Sequence, residues 1–209
     1  MTALICAWMR VAVADQDAFL DFHTHEHLPE RLGVPGFLRG RRFLSLEKPD
    51  TLLVLYEVTS LAVLTTDAYV ERLNNPSDWT KRSMPLIRES RRLALELDFN
   101  QGDGGAEFVG VAYLGAVERA SREGVLAAAA FAKQRSSIIA ARAGRVDLAA
   151  SNLDTAEHKA LGSKVETDGY VIVLEAPDTA NVTGAFRELA PAHGVIPTLF
   201  QLQVSLSAD

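Results

Sequence analysis

The segment Gln101-Gly-Asp-Gly-Gly105 lies almost at the midpoint of a chain of 209 residues. Glycine and small polar residues disfavour regular structure, and this is the clearest linker composition in the sequence. The chain length suits two folded units of about 100 residues each. We therefore predict a first domain over residues 1–100, a linker over residues 101–106 and a second domain over residues 107–209.

On the N-terminal side of the linker, strand and helix patterns follow one another in a simple order. Apolar or alternating runs predict strands, and apolar residues spaced by three or four predict helices. The segments are a strand at 3–13, a helix at 15–28, strands at 37–46 and 51–59, a helix at 61–73, a short helix to about 90 and a strand at 92–99. Pro29 is expected to end or bend the first helix, because proline lacks a backbone N–H.

The C-terminal side repeats this order. Its segments are a strand at 107–117, a helix within 118–142, a strand at 145–151, a polar connection at 152–166, a strand at 170–175, a helix from 177 to about 189 and a strand at 198–206. Two β-α-β-β-α-β units indicate an α+β protein built from tandem ferredoxin-like units, each with helices on one face of an antiparallel sheet. We predict that the two bare sheet faces pack together as a pseudo-dimeric α/β barrel, with an apolar pocket in the space between them.

The composition excludes several classes of partner. The net charge is −6, which disfavours binding to nucleic acid or to an anionic membrane surface. Cys6 is the only cysteine, so an internal disulfide cannot form, and a reducing compartment is expected. The N-terminal segment has no signal-peptide pattern, and no apolar run reaches the roughly 20 residues of a membrane span. We expect a cytoplasmic protein.

Residues 22–38 read Phe-His-Thr-His-Glu-His-Leu-Pro-Glu-Arg-Leu-Gly-Val-Pro-Gly-Phe-Leu. This segment resembles the EthD-like family of the dimeric α/β-barrel superfamily. The runs Leu-Val-Leu-Tyr-Glu-Val at 53–58 and Leu-Asn-Asn-Pro-Ser-Asp-Trp-Thr at 73–80 resemble the same group. The resemblance covers about residues 3–99, and the second half is similar only in element order, as a degenerate copy.

The resemblance implies the barrel fold more strongly than it implies a reaction. The superfamily includes cofactor-free monooxygenases, isomerases, polyketide cyclases, decarboxylases, dehydratases and haem-binding enzymes, and EthD-like members often belong to the degradation of aromatic compounds. Fold alone does not fix the chemistry. Homodimers are common in the superfamily, although a fused repeat can close the barrel within one chain. The family's recurrent Glu-His pair falls on Glu26 and His27, and its aromatic position falls on Phe22.

The histidines of this segment are the candidate catalytic residues. His23 and His27 lie on one helical face, and Glu26 borders that face. A carboxylate beside an imidazole raises its pKa toward neutrality, so His27 can act as acid or base with Glu26 as its orienting partner. The alternative is a histidine that only stabilises the end of the helix. The string His-x-x-Glu-His at 23–27 also occurs in zinc proteases, but Pro29 cuts the helix short, which argues against that class. A single metal ion bound by His23 and His27 stays an alternative, although no metal site is predicted.

Other side chains are candidates for substrate binding. Arg41 is predicted to share a strand face with Phe37 and Phe43 and could hold an anionic group of a ligand. Tyr56 could orient a substrate. Trp79 and Phe22 could wall the pocket. For Arg41 the alternative is an ion pair with an acidic residue, and for the aromatic residues it is packing in the core.

Together these observations favour a small, cofactor-independent enzyme acting on a hydrophobic aromatic or polyketide-like molecule in a cavity between sheet and helices. His27 would transfer a proton during isomerisation, dehydration, decarboxylation or oxygenation. Two alternatives stay open: a non-catalytic binding or accessory protein, and a haem- or metal-binding protein of the same fold. No cofactor motif is present in the sequence.

Overall fold

The computed structural model describes residues 2–102, 105–115, 121–162, 164–193 and 196–208. Part of the predicted linker, residues 103–104, and the predicted start of the second half's first helix, residues 118–120, lie outside the described residues. The predicted α+β class is confirmed, because the described chain combines helices with strands that pair only in antiparallel fashion.

The N-terminal half follows the predicted order. Its elements are β1 (Ala3–Val11), α1 (Gln16–Phe22), a π-helical turn (His23–His27), α2 (Leu28–Leu32), β2 (Phe37–Ser45), β3 (Thr51–Val58), α3 (Asp67–Asn74), α4 (Asp78–Ser83) and β4 (Ile87–Gln101). Short 3₁₀ turns lie at Val13–Asp15, Leu61–Thr65 and Met84–Leu86. The last strand is longer than predicted and contains 15 residues.

The C-terminal half has a similar order with a more elaborate connection. Its elements are β5 (Phe108–Gly115), α5 (Arg122–Lys133), β6 (Ala140–Asp147), α6 (Leu148–Ser151), α7 (Ala156–Leu161), β7 (Gly169–Ala176), α8 (Thr179–His193) and β8 (Thr198–Ser207). The predicted strand at 145–151 overlaps β6 only at residues 145–147, and its predicted bounds are wrong. The strand begins at Ala140, and its predicted C-terminal part is the helix α6. Helix α7 lies within the predicted polar connection.

The strands form one closed barrel in the order β1-β3-β2-β8-β5-β7-β6-β4. Every neighbouring pair is antiparallel. The strands of the first half are contiguous as β4-β1-β3-β2, and those of the second half follow as β8-β5-β7-β6. The halves therefore meet along two seams, β2 with β8 and β4 with β6.

The barrel interior is packed with side chains from both halves. Its apolar part includes Leu4, Phe43, Leu53, Leu95, Val173 and Phe200. A buried ion network crosses the same interior: Arg41 and Arg142 both donate to Glu175, whose side chain has 0% exposure. The middle of the barrel is therefore filled, and the pocket expected between the sheet faces lies instead on the outer side of the sheet.

A β-bulge in β2 changes which residues share a face. The pairing of β2 with β3 shifts register between Phe37 and Arg39. Phe37 therefore packs in the helix-facing core, whereas Arg41 and Phe43 face the barrel interior. A bulge inserts one extra residue and reverses the alternation beyond it. The prediction that Phe37, Arg41 and Phe43 share one face is therefore wrong for Phe37.

The first helix does not end at Pro29. It widens into a π-helical turn at His23–His27, where the N–H of Leu28 donates to the carbonyl of His23, and it then continues to Leu32. Proline lacks the N–H that the preceding turn would require, and the wider turn lies immediately before it. As a result, Arg31 is on the same continuous helical segment as the two histidines.

Candidate functional site

A pocket lies between the outer face of the first half's sheet and the helices that cover it. Strands β1, β3 and β4 supply its floor, and α1, the π-helical turn and α3 supply its walls. Much of the lining is aromatic and includes Phe19, Phe22, Phe37, Tyr56 and Tyr69. Leu153, Thr155, Glu157, His158 and Leu161 of the second half also line it. The predicted location between sheet and helices agrees with this pocket.

His23 and His27 both line the pocket and lie against each other. Their ring centroids are 5.2 Å apart, and the ring of Phe22 is 5.7 Å from that of His27. Nδ1 of His23 is 3.3 Å from Nη1 of Arg42. Because a guanidinium can only donate, Nδ1 of His23 is the acceptor and its proton is on Nε2. His23 is thereby held as a neutral ring with a defined tautomer.

His27 presents an unsatisfied nitrogen. Its Nδ1 is buried and has no hydrogen-bond partner among the described residues. Loss of hydration, together with the nearby charge of Arg31, holds the pKa of His27 well below its ordinary value. The sequence-based expectation of a raised pKa is therefore wrong, because the pocket and Arg31, rather than a carboxylate, dominate the surroundings of this ring.

Glu26 does not act as the partner of His27 in this structure. Its Oε1 accepts hydrogen bonds from the hydroxyls of Ser77 and Thr80, the latter at 3.1 Å. Ser77 is also the N-cap of α4 and accepts from the N–H of Thr80. Glu26 thus attaches the π-helical turn to the start of α4, which makes it a positioning residue for the histidine segment.

Tyr56 and Arg31 add two further unsatisfied polar atoms to the pocket wall. The hydroxyl of Tyr56 is buried and has no hydrogen-bond partner among the residues that the structure describes, and burial raises the pKa of this phenol. Arg31 is 3% exposed, and its Nη2 donates to Oε2 of Glu157 in α7. Its Nη1 is buried and makes no hydrogen bond. Unpaired buried polar atoms are rare in folded proteins, so their concentration beside one pocket is typical of a binding site.

The remaining predicted site residues lie elsewhere. Arg41 is in the barrel interior, where its guanidinium binds Glu175 at 2.6 and 2.9 Å, so its ion-pair alternative describes the structure better than ligand binding does. Trp79 is half-buried and packs edge-on against Phe22, with ring centroids 5.8 Å apart, but is not in the pocket lining. The structure therefore brings together His23, His27, Tyr56 and Phe22.

Sequence reasoning missed Arg31 and Glu157. Arg31 is four residues after His27, the spacing of neighbours on one helical face, but the helix was expected to end at Pro29. Its ion pair with Glu157 joins residues 126 positions apart and leaves no local sequence signal.

Within the described ranges, no group of three or more His, Cys, Asp or Glu residues is arranged to hold a metal ion. None of the described helices has the length and hydropathy of a membrane span.

The buried histidine His23 gives a stability prediction. Loss of hydration, followed by the charges of His27, Arg42 and Arg31, lowers its pKa well below the ordinary value. The unfolded chain therefore binds a proton at higher pH than the folded chain does. Stability should be fully present above about pH 6.5 and should fall as the pH drops below it, by at most about 1.4 kcal/mol per pH unit from this ring.

Urea unfolding between about pH 7.5 and 5 measures this dependence. We expect the free energy of unfolding of His23→Leu to vary less steeply with pH than that of the wild type. A variant with the same slope would show that His23 is protonated equally in both states and would contradict the prediction.

Neither a protein-family model nor a curated protein sequence matches this chain. Solved structures do match its fold. A provisionally named monooxygenase from Fusobacterium nucleatum has a TM-score of 0.64 and 9% identity and covers 99% of this chain and 94% of its own. A provisionally named monooxygenase from Lactobacillus acidophilus has a TM-score of 0.59 and 8% identity, covering 100% and 99%. An anthrone oxidase-like protein has a TM-score of 0.60 and 10% identity, covering 99% and 93%.

These similarities define the class of fold. The chain has the dimeric α/β-barrel fold, and each of these three similar structures spans both of its halves. At such low sequence identity the likeness extends to the architecture alone.

Proposed function

We propose that this protein is a small-molecule enzyme in which neutral His27 removes a proton from a planar aromatic or polyketide-like substrate, and that the reaction is a cofactor-independent oxygenation. The observation that carries the proposal is the unpaired Nδ1 of His27, a residue of an aromatic-lined pocket that also includes Tyr56 with its unpaired hydroxyl. An imidazole kept neutral by burial can accept a proton at ordinary pH.

We also propose the finer organisation implied by the sequence. The first domain would be an EthD-like ferredoxin-like unit over residues 1–100, and the second a degenerate ferredoxin-like unit over residues 107–209. The equivalent strand orders of the two halves support this proposal. The single, buried Cys6 suits a reducing compartment and supports a cytoplasmic location.

The pocket residues have complementary roles in the proposed reaction. Phe22 and the other aromatic side chains hold the substrate rings and exclude water. His27 takes the proton through Nδ1, and the hydroxyl of Tyr56 donates to the substrate oxygen. His23 keeps its neutral tautomer through Arg42 and packs beside the base. Removing the proton delocalises negative charge over the ring system and prepares it to react with dioxygen.

Oxygenation is preferred over isomerisation, dehydration or decarboxylation because the names of the similar structures include two monooxygenases and an anthrone oxidase-like protein. Anthrone is a planar, apolar ketone whose ring CH₂ group loses a proton to give an aromatic phenolate-type anion. Its oxidation balances as anthrone plus O₂ giving anthraquinone plus water. No electron donor other than the substrate is required.

Oxygen uptake with anthrone tests the proposal. Purified protein in air-saturated buffer should consume one O₂ per anthrone and form anthraquinone, followed by its absorbance, faster than buffer with heat-denatured protein. Chelator-treated protein should retain the rate, because the proposed mechanism uses no metal. A rate equal to that of the denatured control would reject anthrone-type oxygenation.

A further inference from the structure

Arg31 is a buried cation whose hydrogen-bonding capacity is only partly used. Its Nη2 donates to Glu157, whereas its Nη1 is buried and has no hydrogen-bond partner in the described part of the chain. Oε2 of Glu30 approaches Nη1 only to 3.6 Å, and Glu30 is outside the pocket lining. An arginine carries donors in a planar fork that suits a carboxylate or a similar anion, so an uncommitted arm at a pocket points to an anionic partner.

The charges of the pocket wall point in the same direction. Besides its three histidines, its titratable charged residues are Arg31, Arg92 and Glu157, whose charges sum to +1. Arg92 is already committed, since its Nη1 donates to the carbonyl of Ala150 at 2.6 Å. A ligand with a single negative charge would offset the excess of arginine charge in the lining and would find an available donor on Nη1 of Arg31.

The same chain shows that one buried arginine can hold two carboxylates. In the barrel interior Arg41 donates to Glu175 and, at 3.1 Å, to Glu57. At the pocket Arg31 has one hydrogen-bonded carboxylate, Glu157, whereas the second carboxylate near it, Glu30, lies 3.6 Å from Nη1 and accepts no hydrogen bond from it. The hydroxyl of Tyr56, also without a partner, lines the same pocket as Arg31.

We propose that the ligand of this pocket is an aromatic monoanion whose carboxylate or ionised phenol binds Nη1 of Arg31 and the hydroxyl of Tyr56. This inference rests on the proposed function, because it assigns the charged group of the same ligand. Glu157 of α7 accepts from the other arm of Arg31, so it competes with the ligand for the same guanidinium. The same donors fit the phenolate-type oxygen that proton removal creates.

Paired ligands of equal shape test the assignment. Isothermal titration with 2-naphthoate and with its uncharged analogue 2-naphthamide gives an affinity ratio that cancels changes in ring packing. We expect the wild type to prefer the acid by at least about tenfold. Arg31→Gln should bring the ratio close to one, whereas Arg72→Gln, at an exposed arginine of α3, should leave it unchanged.

Glu157→Gln provides a test that does not require removal of the buried cation. It eliminates a carboxylate that competes for Arg31, so the preference for 2-naphthoate should increase severalfold while the affinity for 2-naphthamide stays the same. Three outcomes would overturn the proposal. They are a wild-type affinity ratio of acid to amide near one, a full preference for the acid retained in Arg31→Gln, and no binding of either compound.

The outcome is independent of catalysis by His27. The affinity ratio is measured without turnover, so His27→Gln should keep the preference for the acid. A strong preference combined with no anthrone oxidation would reject the proposed reaction and retain the anion site. Oxidation of anthrone by a protein that binds 2-naphthoate and 2-naphthamide equally would reject the anion site and retain the proposed reaction.

Discussion

Replacing His27 by glutamine is expected to slow anthrone oxidation by about 10²–10⁴-fold, the usual contribution of a positioned general base. Glutamine keeps a polar side chain of similar length but cannot accept the proton. The imidazole packs beside Phe22 and His23, and its Nδ1 has no competing partner within the described residues. Oxygen uptake per protein molecule, with substrate in excess, measures the loss directly.

His25→Gln is the matched control for this experiment. His25 belongs to the same π-helical turn, but its side chain is 67% exposed and lies 3.6 Å from Asp21 on the surface. The identical substitution two residues away should therefore leave the rate unchanged. Equal losses in the two variants would indicate damage to the turn, and full activity in His27→Gln would remove this residue from the mechanism.

The pH dependence of the rate separates the two descriptions of His27. A pKa raised by Glu26, as the sequence suggested, would leave the base largely protonated near neutral pH and the rate rising there. The structure lowers the pKa through burial and the charge of Arg31, so the base is already neutral. The rate should therefore stay level as the pH falls from about 8 to 6.5 and should decline only in more acidic solution.

The part of the candidate site that lies on one sequence segment was predictable. His23, His27 and Phe22 lie within one helical segment, and their common face follows from spacing alone. Tyr56 came from its position in an apolar strand. Arg31 and Glu157 could not be predicted in the same way, because one required a helix that continues through Pro29 and the other required the contact between the two halves.

The fold was predictable in its element order but not in its details. Alternation of helix and strand patterns defines both halves, and the turn before β2 is where expected, with Gly36 at a φ of +98°. The strand β6 was misplaced because Ala140, Ala141 and Ala143 extend an alanine-rich helical run. Alanine has low strand propensity, but these three side chains are fully buried against neighbouring layers. Because burial outweighs intrinsic propensity, this stretch forms a strand.

Glu175→Gln is expected to lower the free energy of unfolding by about 3–5 kcal/mol, the range for breaking a buried ion pair. Burial alone would raise the pKa of this carboxyl, but hydrogen bonds and charge from Arg41, with the charge of Arg142, outweigh burial and lower it. Glu175 is therefore ionised in the barrel. Without it, two buried guanidinium groups share only Glu57, which is already bound by Arg39 at 2.6 Å.

Urea unfolding of this variant is compared with that of Glu188→Gln. Glu188 forms a surface ion pair with Arg135 at 2.7 Å and is 47% exposed, so its loss should change stability by less than about 1 kcal/mol. Equal effects of the two substitutions would show that the interior network contributes no more than a surface pair.

The acid limb of the stability curve gives a second measurement of the network. Because the folded pKa of Glu175 is depressed, its stabilisation is present above the unfolded value of about 4.5 and is lost as the pH falls through the folded value. Glu175→Gln should lack that part of the acid transition.

Replacing Arg41, Arg142 and Glu175 together by apolar residues should restore much of the stability, since the loss of stability in Glu175→Gln arises from unpaired buried charge. The network connects β2 of the first half with β6 and β7 of the second, so these residues link the two halves that together enclose the pocket.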